Sequence, residues 1–379
     1  MDFELSEQQK MIRDMTRDFA MKEVAPKAAE LDMSEKFPTE IMDKVGKLGL
    51  MGIMIPKEYG GAGLDAVTYS LVIEELSKAC STTGALTSVH NSFAPYIILK
   101  WGTEEQRRKY VPPLASGEVY GAFAATEPNA GSDLGSMQTS AVLEGDSYII
   151  NGTKTFISGG PKAGTSIVFA LTDREAGPRG ISAFIAENTY PGYKVGAIFD
   201  KMGIRASETS ELIFEDMVVP KENLLGRPGE GFKIALASID GGRIGIASQA
   251  VGIAQRALDE GVKRARERVQ FGKPISNLQA IQWMIAEMAT RVEASRLLTW
   301  HAAYLKDKGA RFGKEAAMAK LMASETAVFC ANTSLQIHGG YGYMREYGIE
   351  RLYRDAKITE IYEGTTEVQK LVIASNLLR

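Results

Sequence analysis

The sequence predicts an α+β fold of several domains: helices first, a β domain in the middle, and a second helical domain at the end. Three observations carry this. Apolar residues recur at helical spacing through the first third of the chain. From about residue 120 to residue 225 they alternate with polar ones between turn signals, the period of a half-buried strand. Beyond residue 231, three long Ala-rich amphipathic stretches follow one another with Gly or Pro at their junctions. Blocks of one kind of element are not the strand–helix alternation of a doubly wound sheet. A length of 379 residues suits two or three domains at about 100–200 residues each. The changes of pattern set the expected boundaries at 1–117, 118–226 and 227–379.

In the first block, Ser6-Glu7-Gln8-Gln9 is a capping box, since the hydroxyl and Gln9 can satisfy orphan backbone donors reciprocally. Met11, Ile12, Met15, Phe19 and Val24 follow at helical spacing, and Pro26 bends or breaks that helix. Further helices are expected over 39–48, 66–79 and 83–100. Thr103-Glu104-Glu105-Gln106 is a second capping box, opening a short helix that should end before Pro112-Pro113. Strands are expected over 147–150, 155–158, 166–171, 181–186 and 211–214, the first ended by Asn151-Gly152, the favoured pair for a type I′ hairpin. After Gly226-Arg227-Pro228-Gly229-Glu230-Gly231 come helices over 232–268, 276–308 and 314–337. The second of them opens on a third capping box, Ser276-Asn277-Leu278-Gln279. Helices this long on short loops make an antiparallel bundle.

Composition removes several classes of function. Lys and Arg number 44 against 47 Asp and Glu, so the net charge is −3, and no basic field attracts a polyphosphate backbone. Nucleic acid is not expected as a partner. Cys80 and Cys330 form no framework and read as small buried hydrophobes. No apolar run approaches the roughly 18 residues of a membrane helix, and the opening MDFELSEQQK is charged and helix-like rather than a signal peptide. A soluble, cytoplasmic chain is expected. His90, His301 and His338 lack metal-site spacing, so no metal is expected. Gly61-Ala62-Gly63-Leu64-Asp65-Ala66 matches a dinucleotide-binding pattern, but no strand leads directly into it and no βαβ unit surrounds it; it reads as a loop before a helix.

Three segments concentrate chemistry. Phe123-Ala124-Ala125-Thr126-Glu127-Pro128-Asn129-Ala130-Gly131-Ser132-Asp133 gathers turn formers where helix gives way to strand. Gly339-Gly340-Tyr341-Gly342-Tyr343 follows a long helix and permits close backbone approach to a ligand. Ile361-Tyr362-Glu363-Gly364-Thr365-Thr366-Glu367 sets a carboxylate among apolar and small residues. Desolvation raises the pKa of such a carboxylate, which suits a general base near neutral pH. Singly, these read as a tight turn, a helix C-cap and a helix N-cap.

In this order and at these separations, they resemble the acyl-CoA dehydrogenase family of flavoenzymes. The resemblance runs from Leu5-Ser6-Glu7 to Leu378, and residues 239–249 are most similar to the short-chain, butyryl-CoA type. It implies an N-terminal α-helical domain, a central β-barrel and a C-terminal four-helix bundle, binding FAD and assembling as a homotetramer. The implied reaction removes the α-proton and β-hydride of an acyl-CoA, leaving a trans-2-enoyl-CoA, with flavin N5 as hydride acceptor. Glu363 matches the base. Members that carry the base on a C-terminal-domain helix place it where this chain has Gly242, which cannot serve.

The resemblance also distributes the binding roles. Phe123, Ala125, Thr126 and Ser132 match one flavin-binding edge, and Phe156, Ile157 and Ser158 a second. Many members have Trp and Thr where this chain has Phe156 and Ser158. Arg268, Phe271, Gln279, Gln336, Gly339 and Gly340 match residues that reach a neighbouring subunit's FAD, and Thr365 and Glu367 match adenosine and pyrophosphate contacts. Ser132, Asp240 and Arg243 match CoA contacts, while Tyr362 and Gly364 belong to the thioester pocket. The implied electron partner is electron-transfer flavoprotein, and a bacterial, cytoplasmic enzyme is expected. A branched short-chain substrate is the nearest alternative, and a non-enzymatic DNA-associated relative is disfavoured by the charge balance. Glutaryl-CoA would need a cation for its distal carboxylate, and residues 81–99 contain no Lys or Arg.

Overall fold

A computed structural model describes residues 4–378; residues 1–3, part of the charged opening, and residue 379 lie outside it. The N-terminal helices are α1 (Glu7–Phe19), α2 (Ala28–Ser34), α3 (Thr39–Lys47), α4 (Ala66–Ala79), α5 (Ser81–Ser92), α6 (Ala94–Trp101) and α7 (Glu104–Ser116). Both capping boxes, at Ser6 and Thr103, form with both reciprocal bonds. Pro26 acts as expected: α1 passes into a π turn over Ala20–Val24 and a 3-10 turn over Ala25–Lys27 before α2 begins. Asp65 caps α4, so the glycine-rich stretch before it is the loop it was read to be.

Two helical expectations need correction. Residues 83–100 hold two helices rather than one, broken at Phe93, because Pro95 cannot donate into the preceding turn. Conversely, α7 runs through Pro112 and Pro113. Burial of Val111, Leu114 and Ala115 beside them offsets the two missing backbone donors.

The middle domain is one sheet of β1 (Tyr120–Ala124), β2 (Ser140–Glu144), β3 (Ser147–Ser158), β4 (Ala163–Leu171), β5 (Ile181–Glu187), β6 (Tyr193–Ile198), β7 (Thr209–Pro220) and β8 (Leu224–Leu225). Its order is β6-β7-β3-β2-β4-β5-β8, with β1 parallel to β4. Asn151-Gly152 is not a hairpin. It lies inside β3 as a bulge in the β3–β7 ladder, with the Asn151 side chain bonded to Asp216 on β7. A side chain at Gly152 would come within 2.4 Å of Thr139, so close strand approach, not turning, explains the glycine. The turn between β2 and β3 falls at Gly145-Asp146 instead.

The C-terminal domain contains α8 (Gly231–Glu267), α9 (Gln279–Asp307), α10 (Gly313–His338), α11 (Ile349–Ile358) and α12 (Thr366–Leu377). Helices α8, α9 and α10 pack on one another, and α12 packs along α10. The third capping box does not form: Ser276 sits in a 3-10 turn pinned by the buried Ile275, and α9 starts at Gln279 without a side-chain cap. One apolar core joins α1–α4 to α8–α11, a second lies between α5–α7 and one face of the sheet, and a third covers the other face. The sheet is thus held by helices from both ends of the chain.

Candidate active site

Glu363 stands in the short loop between α11 and α12, whose start is capped by the Thr365 hydroxyl. Its backbone is left-handed at φ 53°, and Gly364 follows at φ 94°. Both carboxyl oxygens are buried with no hydrogen-bond partner. The carboxyl group lies against α8 at Gly242, where a Cβ would come 2.0 Å from Oε2 and 3.1 Å from Phe93 Cζ. Burial pushes Glu363 up to about 8, against the downward pull of the Lys320 and Arg243 charges. A carboxyl group in this state readily takes a proton from something brought to it, because nothing else competes for its oxygens.

Its surroundings are ordered by bonds to neighbouring backbone and side chains. Arg243 donates to Asp240 at 2.6 Å. Tyr362 donates to Gln249 on α8. Lys320 on α10 donates to the Gly364 carbonyl at 2.7 Å, and Gln369 on α12 donates to the same carbonyl at 2.7 Å and to that of Glu363 at 3.2 Å. Beside Asp240 a cleft of about 460 Å³ opens, bordered by Arg311, Lys314 and Asn376. The structure therefore brings together Glu363, Tyr362, Gly364, Asp240 and Arg243. Ser132 is exposed in the turn after β1, and no hydrogen bond or ion pair joins it to Asp240 or Arg243 among the described residues.

A second group forms at the sheet edge. The Phe123 ring stacks on Phe93 at 4.2 Å, Ala125 is buried, and the Thr126 carbonyl accepts from the Thr155 amide at 2.9 Å. That bond sets residues 123–126 beside residues 155–158. Behind them Lys154, fully buried, donates to Glu127 at 2.8 Å and to the Ala125 carbonyl at 3.2 Å. Glu127 also accepts from the amides of Gln138 and Thr139. Ile157 is buried, whereas Phe156 is left-handed at φ 57° and 64% exposed, its ring 5.2 Å from that of Phe199. An aromatic face held in a strained backbone and turned outward is a platform for another flat ring.

A third group gathers around a cleft of about 590 Å³ lined by Arg268, Gly339, Gly340 and Tyr341. Arg264 lies 4.8 Å and Arg268 5.8 Å from the Tyr341 ring centroid. The spaces where side chains at Gly339 and Gly340 would stand are open to 4 Å. Phe271 projects nearby in sequence at 90% exposure, and Gln279, Gln336 and Glu367 are exposed.

Three family models cover the chain: the acyl-CoA dehydrogenase N-terminal domain over residues 6–118, the middle domain over 122–217 and the C-terminal domain over 229–378. The chain belongs to the acyl-CoA dehydrogenase family. The short-chain specific acyl-CoA dehydrogenase of Clostridium acetobutylicum is 52% identical over 379 residues, covering 100% of both chains. The structure of butyryl-CoA dehydrogenase from Megasphaera elsdenii is 44% identical, with a TM-score of 0.99 over 100% of each chain. A structure described for the electron transferring flavoprotein of Acidaminococcus fermentans, towards a mechanism of flavin-based electron bifurcation, contains a chain 52% identical, again with a TM-score of 0.99 and 100% coverage of both. The three-domain acyl-CoA dehydrogenase layout is therefore this chain's fold, and its members are flavoproteins that act on the CH–CH group of their donors.

Sequence reasoning passed over several residues of this acyl-CoA dehydrogenase. Lys154, Lys320, Gln369, Gln249 and Arg311 all bond to or border the groups above. For Lys320 a signal was present: it is the one charge in Ala316-Ala317-Met318-Ala319-Lys320-Leu321-Met322-Ala323, and a lone lysine in an apolar run is buried only with a partner. No helix among the described residues is long and apolar enough to cross a membrane.

Proposed function

We propose that this protein catalyses α,β-dehydrogenation of a short straight-chain acyl-CoA, butyryl-CoA to crotonyl-CoA, with Glu363 as the base that removes the α-proton. The observation that supports it is the buried, unpartnered Glu363 carboxyl facing Gly242. Phe123, Ala125, Thr126 and Ser132 on one edge, and Phe156, Ile157 and Ser158 on the other, would hold FAD. The fit is good: the outward Phe156 ring offers stacking, and the Lys154–Glu127 pair joins the two segments. When bound, the flavin supplies the hydride acceptor at N5. Asp240, at the cleft with Arg311 and Lys314, and Arg243, bonded to it, suit the phosphates and polar arm of CoA. Tyr362 and Gly364 flank the thioester, and the backbone amide of Glu363 donates to its carbonyl oxygen as negative charge develops there.

The third group has the character of a site completed by another copy. Its cleft holds two arginines on an aromatic ring and two open glycines. Arg268, Phe271, Gln279, Gln336, Gly339 and Gly340 would reach the FAD of a neighbouring subunit in a homotetramer, and Thr365 and Glu367 would contact FAD at its adenosine and pyrophosphate. Electrons would pass to electron-transfer flavoprotein, a partner suggested by the Acidaminococcus structure. The same chemistry run backwards makes the protein a crotonyl-CoA reductase.

Chain length follows from Phe93, which closes the space at Gly242 together with Glu363. Each further methylene contributes roughly 0.8 kcal/mol while room remains, and overpacking past the wall costs about 1–3 kcal/mol. Lys306 lies 4.5 Å from the Tyr96 ring and 3.3 Å from where a side chain at Gly241 would stand, so glutaryl-CoA is kept among the substrates tested. The test is anaerobic flavin bleaching and kcat/KM for straight acyl-CoAs from C3 to C12, with isobutyryl- and glutaryl-CoA alongside. A maximum at C4 is expected. A colourless protein, or a maximum at C8 or longer, would refute the reading.

A further inference from the structure

The loop carrying Glu363 is held in an unusual way. Two consecutive residues, Glu363 and Gly364, are left-handed, a conformation that persists only where surroundings over-determine it. The restraints act on backbone carbonyls, not on the carboxyl group. Lys320, fully buried on α10, places its ammonium on the Gly364 carbonyl at 2.7 Å. Gln369, fully buried on α12, spans the carbonyls of Glu363 and Gly364. A Cβ at residue 364 would come 2.7 Å from that Gln369 nitrogen, so only glycine lets the amide approach.

A buried ammonium is costly, and a neutral donor would satisfy a carbonyl equally well. The charge therefore calls for a reason. Arg243, the other cation beside Glu363, is already committed to Asp240. Lys320 forms no ion pair among the described residues, yet its field reaches Glu363. A direct salt bridge would hold the carboxylate in the ordinary acidic range and fix its oxygens. A cation bonded one residue further along the backbone pulls on the charged form without touching those oxygens.

We propose that Lys320 is a positioning residue for the reaction: its ammonium, with the Gln369 amide, holds the Glu363–Gly364 backbone so that the carboxyl group faces the substrate's α-carbon, and supplies a counter-charge that favours the ionised form of Glu363. The inference rests on Glu363 being the base. The groups that share the field are Arg243 and Asp240 on α8, Tyr69 on α4, Tyr362 beside the base, and Glu360 and Glu367 around Lys320. Burial is the largest influence on both partners, pushing Glu363 up to about 8 and Lys320 down to about 8.

The test compares wild-type holoenzyme with Lys320→Met and Gln369→Leu, measuring kcat, KM for butyryl-CoA and the pH profile of kcat/KM. Lys320→Met should move the midpoint of the basic-form profile upward by about one pH unit or more and lower kcat near pH 7 by about tenfold or more, with KM nearly unchanged. Gln369→Leu removes a tether but no charge, so kcat should fall while the midpoint stays within about 0.3 unit of wild type. Should Lys320→Met fail to fold, Lys320→Gln keeps a donor for the Gly364 carbonyl but removes the charge, and must show the same midpoint shift. An unmoved midpoint in the Lys320 variants overturns the proposal. Glu363→Gln is the control for the underlying reading. If it retains wild-type flavin reduction the base assignment itself has failed; if it is inactive while the Lys320 variants match wild type, only the Lys320 proposal has.

Discussion

A carboxyl group walled by a glycine, a phenylalanine ring and backbone has no cheap way to carry charge, and this decides how Glu363 should respond to pH. As the proposed base it would work only when ionised. With its value pushed up to about 8, kcat/KM of the free enzyme should rise with pH through that region and level off above it. Stability should run the other way. The folded value lies above the unfolded one, so ionisation progressively destabilises the fold as pH rises from the ordinary carboxylate range to about 8. Glu363→Gln should therefore leave thermal stability unchanged at pH 4 and raise it at pH 9. The same variant should lose on the order of 10²–10⁴-fold in flavin reduction by butyryl-CoA while keeping its colour. Thermal melts at the two pH values and stopped-flow bleaching check both halves; reduction within about tenfold of wild type would sink the role. At this scale the sequence was readable where local chemistry is unusual, as in Tyr362-Glu363-Gly364. It was silent on Gln369, and for Lys320 it showed only a lone charge in an apolar run, not a role, since both roles depend on two helices meeting at one loop.

At the scale of elements, β3 is the piece on which the sheet edge depends. Its Lys154 is buried with Glu127, and Glu127 in turn anchors the amides of Gln138 and Thr139. Removing one member of such a pair strands the other. Lys154→Met should cost roughly 3–5 kcal/mol of stability and release flavin, because residues 123–126 and 155–158 lose their common anchor. Chemical denaturation and the flavin-to-protein absorbance ratio after dialysis measure these together. Full flavin content in a destabilised variant would separate the pair from the cofactor edge. The long helices and most strands were legible because their periodicity is local. The failures share a cause: Asn151-Gly152, Pro112-Pro113 and Ser276 carry strong turn or cap signals that tertiary contacts override. Thr139 needs a glycine across from it, buried Val111 and Leu114 hold α7 through its prolines, and Ile275 pins the turn that uses up Ser276.

At the scale of the molecule, the three domains meet at one charged junction. Arg354 on α11 holds Asp32 on α2 with two bonds, at 2.9 and 2.7 Å, and the Met202 carbonyl of the β domain at 3.0 Å. Asp355 accepts from the Ile204 amide at 2.6 Å, and Arg205 pairs with Glu35. The β-domain loop held there continues from Phe199, the neighbour of Phe156. Arg354→Ala should lower stability by roughly 3 kcal/mol and weaken flavin binding although it lies outside the proposed cofactor contacts. Isothermal titration of the apoprotein with FAD reads the second effect. Arg268→Ala tests the proposed subunit level: FAD affinity and the stability of the proposed tetramer should fall together, and the melting temperature should become dependent on added FAD. Sedimentation at graded FAD concentration checks it, and a variant that keeps full flavin through dialysis would rule out the cross-subunit role. None of these long-range ties was visible in the sequence, since Asp32, Met202 and Arg354 are separated by more than a hundred residues each.

The contact between Glu363 and Gly242 also constrains how such a protein can change by descent. The space that a side chain at 242 would need is the space the Glu363 carboxyl fills. With Glu363 as the proposed base, moving it from the loop to α8 would take two replacements. If the helix changed first, the chain would carry two side chains in one volume; if the loop changed first, it would have no base at all. Each order would pass through a crippled ancestor, so a lineage that begins with glycine at 242 would tend to keep the carboxyl group where it is.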